Sequence, residues 1–158
     1  MRQKLFNLIR KRKYNISIYT EEIFERRCQE EIIRSDEDNS SFVYIELDFE
    51  SIQNFMGDEE GALQFWNIFL ASLHKSNRGS DILGFLEHES GIGMLLLDSK
   101  IEGWIRVKGR IIQMAQTQQC DKMEQFLNTM VRPVLYPACI QVPDFNAEAA
   151  APADSATP

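Results

Sequence analysis

Arg78-Gly79-Ser80-Asp81 places a guanidinium and a carboxylate three residues apart, shortly before the turn-forming run Glu87-His88-Glu89-Ser90-Gly91. Arginine offers a planar donor fork that suits a phosphate or the edge of a guanine, and an aspartate beside it can accept from guanine nitrogens. A plainer reading stands next to this one: a salt bridge that stiffens the start of a strand. Three carboxylates, Asp48, Glu50 and Glu89, are the other groups with possible chemistry. Mg²⁺ takes one or two carboxylates together with substrate phosphates, but a phosphate-cradling loop must complete the shell. Without that loop they are solvated residues at strand ends.

The remaining reactive side chains are isolated. His74 and His88 have no second His or Cys at ligand spacing; the first reads as a partner for a helix C-terminus and the second as an exposed turn residue. Cys28, Cys120 and Cys139 are odd in number and widely spaced. They form neither a disulfide framework nor a metal motif and read as small hydrophobes in a reducing, cytoplasmic setting. No G-x-S-x-G, P-loop or C-x-x-C occurs, which removes the common hydrolase, P-loop NTPase and thiol-redox classes. Trp66 and Trp104 are expected in the core.

Charge is unevenly spread. Residues 1–13 hold six Lys/Arg and no acid, which leaves eleven bases against twenty-four acids in the remainder, a net of −13. So acidic a body argues against nucleic acid as a partner, because phosphate contacts need a broad basic surface. No apolar run reaches the roughly 20 residues that cross a bilayer, and no signal peptide is expected. Residues 1–16 read as a basic amphipathic arm with Leu5, Leu8 and Ile9 at helical spacing. The arm either packs on the domain or on a second copy, which is favoured, or meets anionic lipid peripherally.

The elements that must position these groups follow from periodicity. Thr20 with Glu21 and Glu22 predicts a hydroxyl-capped helix, its apolar face made by Phe24, Cys28 and Ile32, ending near Ser35. Phe42–Asp48 is a strand rich in β-branched and aromatic residues. Asp58 is a plausible cap for a helix whose stripe runs Ala62, Phe65, Trp66, Phe69, Leu70 and Leu73. Strands are expected at 81–86 and 91–97, helices at 101–116 and 123–130, and a last strand at 134–142 that Pro133 and Pro137 confine to an edge. Residues 17–145 thus form one α+β domain. Its βαββαβ order implies a ferredoxin-like antiparallel sheet with both helices on one face, preceded by an extra N-terminal helix. The small, proline-bearing residues 146–158 are expected to be a disordered tail.

Order and motif together resemble the GGDEF family, the bacterial diguanylate cyclases built on this palm-like plan, over roughly residues 17–142. The resemblance makes Asp48 the counterpart of the metal-binding aspartate and Glu50 the second acid. It makes Glu89 the other metal ligand, and Arg78 with Asp81 the inhibitory R-x-x-D that binds cyclic di-GMP. Aligning Asp98-Ser99 with the family's acid-hydroxyl pair puts Arg110 at a further inhibitory-site arginine, with Arg106 one turn earlier as a substitute. The departures are as specific. Glu87 and His88 stand where the family has glycines that let backbone approach phosphates, Met56 stands at the guanine-reading asparagine, and the basic residues that hold the terminal phosphate have no counterpart. The resemblance therefore implies a degenerate, non-catalytic signalling domain whose metal acids are vestigial and which needs no cofactor. Its expected ligand is cyclic di-GMP at Arg78, Asp81 and Arg110. The alternative is a nucleotide-independent scaffold that binds a protein partner or forms a homodimer, and residual cyclase activity ranks last.

Overall fold

The structure is a computed structural model that describes residues 1–76, without the Ser76 side chain, and residues 81–137. Arg78, Cys139 and the 146–158 tail lie outside the described residues. In chain order the elements are α1 (Arg2–Arg12), β1 (Ile18–Tyr19), α2 (Glu21–Asp38), β2 (Phe42–Asp48), α3 (Phe49–Met56) and α4 (Glu59–Ser76). They continue as β3 (Asp81–Phe85), β4 (Gly91–Leu97), α5 (Ile101–Thr117), α6 (Asp121–Thr129) and β5 (Val134–Tyr136). One five-stranded sheet has the order β1-β3-β4-β2-β5. From β2 onward this is the ferredoxin-like arrangement expected from the element order, with β3–β4, β4–β2 and β2–β5 all antiparallel. The added edge strand β1 departs from a wholly antiparallel sheet, since it pairs parallel to β3.

Alternation along the three central strands divides the interior in two. Val43, Ile45, Leu47, Leu83, Phe85, Ile92, Met94 and Leu96 face the main core, shared with α1, α3, α4, α5 and α6. Phe42, Ile82 and Leu95 face the other way, toward Phe24 of α2. Helices therefore cover both faces, and α2 sits alone on the second one. In the main core, Phe49, Phe55, Phe65, Trp66, Phe69 and Phe126 meet edge-on at centroid distances of 5.4–5.6 Å, the geometry that the ring quadrupole favours.

The seat of α2 is a notch rather than a flat surface. Gly84 and Gly93 are direct partners on β3 and β4, and the Phe24 ring rests over both. A Cβ at Gly84 would lie 2.1 Å from Phe24, and one at Gly93 would lie 2.5 Å from it. The helix runs on past Ser35 to Asp38, further than the acidic stretch suggested. There Arg34 joins the buried Glu31 to Asp98 at the end of β4, with Nη2–Oδ1 at 2.8 Å. Thr20 holds the N-cap position without a side-chain hydrogen bond. Asp58 does cap α4, its Oδ1 accepting from Gly61 N at 2.7 Å.

The N-terminal arm packs on the domain. Leu5 is fully buried, and Phe6, Leu8, Ile9, Tyr14 and Ile16 lie against the main core. Burying one leucine is worth about 2 kcal/mol, more than any one exposed ion pair supplies. The backbone N–H of Asn15 donates to His74 Nδ1 at 2.8 Å, so that histidine ties the segment after α1 to the end of α4. The apolar residues that a bilayer would need are thus spent on the domain. No helix among the described residues is long and apolar enough to cross a membrane.

Two glycine substitutions should act in opposite directions. Gly93→Ala drives a methyl into Phe24 and should lower the unfolding free energy by about 1–3 kcal/mol through overpacking. Gly109→Ala, in α5 with nothing within 4 Å of its Cβ position, should raise it by up to about 1 kcal/mol. Urea denaturation of both variants beside the parent checks the pair; a neutral Gly93→Ala would mean that α2 does not rest on this notch.

Candidate functional site

Asp48 ends β2 and at the same time caps α3, because the chain turns from extended to helical there. Its Oδ2 accepts from Ser51 N at 2.8 Å. Glu50 is exposed in the first turn of α3. The β3–β4 turn closes beside them. Leu86 N donates to Gly91 O at 2.9 Å and Glu89 N to Leu86 O at 2.9 Å, while Phe49 N donates to Ser90 O at 2.9 Å. The last bond fixes the turn against the start of α3. Gly91, paired with Asp48 in the ladder, permits this closeness, since a Cβ there would lie 2.2 Å from Leu47 O.

Inside the turn the backbone adopts a single 3₁₀ turn, Glu87–Glu89, with His88 at φ 59° and Glu89 at φ 51°. Both are in the left-handed region that glycine enters freely and that costs other residues about 1 kcal/mol or more. The local shape is therefore one that glycines would favour, built instead from residues with full side chains. The Glu87 and His88 side chains are 88% and 87% exposed and stand clear of the turn, with His88 Nε2 3.5 Å from Glu87 Oε2.

Glu89 is engaged by a residue that the sequence did not single out. Arg2 Nη1 lies 3.1 Å from Glu89 Oε2 and 3.2 Å from Glu21 Oε1. Its guanidinium carbon also sits 4.6 Å from the Phe85 ring centroid. One arginine of α1 thereby joins the turn, the start of α2 and the end of β3. Two residues on, Lys4 pairs with Glu59. Met1, Lys4, Phe49, Glu50, Gln53, Asn54 and Glu59 enclose a hollow of about 360 Å³ beside Asp48. Gln53 and Asn54 supply the amide side chains among its lining residues. Met56, the position expected to stand for a guanine-reading asparagine, is buried in the core. No sequence signal pairs Arg2 with Glu89, because the two residues are 87 positions apart.

Of the expected ligand-binding set, Arg78 lies outside the described residues. Asp81 opens β3 opposite Leu96, half-buried. Arg110 is half-buried on α5, and its Nη2 is buried without a hydrogen-bond partner among the described residues. Arg106 is exposed. Among the described residues, no three His, Cys, Asp or Glu side chains cluster closely enough to hold a metal ion. Asp48, Glu50 and Glu89 stand near one turn, but Asp48 and Glu89 are committed to a helix cap and an arginine.

No family model and no curated protein sequence matches the chain. Among solved structures it is similar to the GGDEF domain of TpbB (YfiN) from Pseudomonas aeruginosa. The identity is 18% over 77% of this chain and 78% of that one, with a TM-score of 0.51. A truncated form of that protein comprising only the GGDEF domain matches at 18% identity, 77% and 73% coverage and a TM-score of 0.51. A DGC protein from Thermotoga maritima matches at 12% identity, 77% and 84% coverage and a TM-score of 0.50. At these identities the likeness concerns architecture, and in architecture the chain is a GGDEF-like domain.

The thiol nearest this turn carries a pH signature. Burial raises the pKa of Cys28 from 9.0 to about 11, with a further contribution from the Glu25 charge against a smaller opposing one from Arg27. Burial followed by its bond to Glu46 pushes the Tyr44 phenol upward as well. Below pH 9 the thiol is protonated whether the chain is folded or not. Between pH 9 and 11 the unfolded thiol ionises first, so stability falls as pH rises. Urea midpoints from pH 8 to 10.5 should therefore decline more shallowly in Cys28→Ser than in the parent; equal slopes would remove Cys28 as a contributor.

Proposed function

We propose that this chain is a non-catalytic regulatory domain on a GGDEF architecture, a bacterial signalling module with cyclic di-GMP as its ligand. The observation that carries the first half is the double commitment of the acids at the turn. Asp48 caps α3 through Ser51 N, and Glu89 is paired with Arg2. A cation held by both would have to displace a helix cap and an ion pair at once. Phosphoryl transfer depends almost wholly on positioning and charge stabilisation by such ligands. Glu87 adds a negative charge where a triphosphate would approach, and Lys4 and Met1 already line the hollow beside Asp48.

Support for a nucleotide-responsive role comes from α5 and β3. Among the described residues the Arg110 Nη2 is buried without a hydrogen-bond partner, and a guanidinium donor in that state gains from an incoming acceptor. Asp81 stands at the start of β3, where the R-x-x-D of the sequence places it. With Arg78 these are the donors and the acceptor that this reading assigns to a guanine and its phosphate.

A second reading, a nucleotide-independent scaffold, has its own observation. The last turn of α1 exposes Arg10, Lys11, Arg12 and Lys13 on a chain whose remainder is strongly acidic, so oppositely charged surfaces of two molecules can pair.

Calorimetric titration separates the readings. Cyclic di-GMP should bind the parent protein and lose at least about tenfold in affinity in Arg78→Ala, as expected for removal of a charged hydrogen-bonding partner. Absence of heat and of a thermal shift in the parent at high micromolar ligand would end the receptor reading and leave the scaffold. Independently, incubation with GTP or ATP and Mg²⁺ or Mn²⁺ should give no cyclic dinucleotide. Turnover that disappears in Asp48→Asn would overturn the non-catalytic reading.

A further inference from the structure

The second face of the sheet is only partly covered among the described residues, and this leaves a groove that shares Glu87 alone with the functional reading above. Phe24 seats the first turns of α2 over β3 and β4, and the last turn reaches across β2 to β5, where Tyr136 Oη donates to Asp36 Oδ1 at 2.8 Å. Between α2 and those strands runs a groove of about 1020 Å³. Its floor is half-buried Tyr44, Leu86, Tyr136 and Cys28, laid over buried Phe42 and Leu95. Its rim carries Glu21, Glu22, Glu25, Glu46 and Glu87, of which Glu21 is already paired with Arg2, and among the described residues no lysine or arginine lines it. The wall contributed by α2 extends from Glu21 to Ile32, about 16 Å at the helical rise. That is the length of three helical turns.

We propose that this groove is a docking site for a basic amphipathic helix of a partner protein, its apolar face on the aromatic floor and its Lys or Arg residues against the glutamate rim. Charge and packing exclude the occupants available within this chain. The chain's own α1 is basic, but Leu5 is fully buried at home and Phe6, Leu8 and Ile9 pack on the main core. A second copy's α1 is used in the same way and can offer cations without an apolar face. The C-terminal residues that follow β5 bring Asp144, Glu148 and Asp154 and no base, so they would meet five carboxylates of like sign. An exposed isoleucine, Ile32 at 37% accessibility, marks the end of the groove where an apolar contact is still open. The site is independent of nucleotide binding and stands whichever reading of Arg78 holds.

Fluorescence anisotropy with a labelled three-turn peptide, leucine on one face and lysine on the other, tests the proposal. It is run at physiological ionic strength, where the screening length of about 8 Å suppresses diffuse attraction. The parent should bind this peptide and not a scrambled peptide of the same composition. The rim variant Glu22→Lys/Glu25→Lys should weaken binding at least about tenfold. Glu60→Lys/Glu102→Lys, an equal charge change outside the groove, should alter it by less than about twofold. Ile32→Asp supplies the sharpest contrast: it adds an acid but removes an apolar contact, so the groove predicts weaker binding and diffuse electrostatics predicts stronger. Failure of the parent to bind, equal binding of the scrambled peptide, equal loss in both double variants or tighter binding by Ile32→Asp each overturn the proposal. A parent protein that is dimeric by light scattering and becomes monomeric in Glu22→Lys/Glu25→Lys overturns it in favour of a second copy. Circular dichroism checks that each variant is folded.

Discussion

Strict two-residue alternation along β2, β3 and β4 is the constraint from which the rest of this molecule follows. A single-residue slip of any of these strands would exchange its core residues with its outward ones. The alternation sends Ile45, Leu47, Ile92 and Met94 into a large aromatic core and leaves Tyr44, Glu46, Gly93 and Leu95 for α2. Two unlike layers result. The larger one fixes α3 and α4 at the end of β2, and so fixes Asp48 beside the β3–β4 turn. The smaller one contains the glycine notch that admits Phe24, and it is thin enough to leave a groove open next to it.

The turn separates backbone shape from side-chain chemistry. It is closed by backbone hydrogen bonds, and its left-handed backbone at His88 and Glu89 is the kind of shape that glycine adopts most readily. The side chains attached to it have partners of their own. Arg2 draws Glu89 toward α1 and rests on Phe85. Each exposed ion pair contributes at most about 1 kcal/mol, and the cation–π contact is of similar size. Leu5, fully buried, does more to hold α1 in place. The charge interactions therefore direct where the carboxylate points more than they hold the fold together.

Much of the fold was legible because it is written in local pattern. The stripe from Ala62 to Leu70 is buried in α4, the strands at 81–85 and 91–97 formed as their composition suggested, and Asp58 caps where an aspartate before a stripe should. Their order was sufficient for the ferredoxin-like sheet. What could not be read depends on contacts between distant segments. The β1–β3 pairing involves two residues only, too short for a periodic signal. The packing of α2 on the opposite face depends on Gly84 and Gly93 meeting across a hairpin. The Arg2–Glu89 pair spans nearly the whole domain, and that Gln53 and Asn54 line the hollow depends on how α1 and α4 pack beside α3.

Manganese-induced broadening of backbone amide resonances reports most directly on whether the turn still holds a cation. If Asp48 and Glu89 are committed to α3 and Arg2, sub-millimolar Mn²⁺ should broaden exposed acidic surface evenly and leave residues 48–51 and 86–91 no more affected than α2. Selective loss of the Asp48, Glu50 and Glu89 amides at low Mn²⁺, reversed by Mg²⁺, would contradict the account and reinstate a metal centre at the turn.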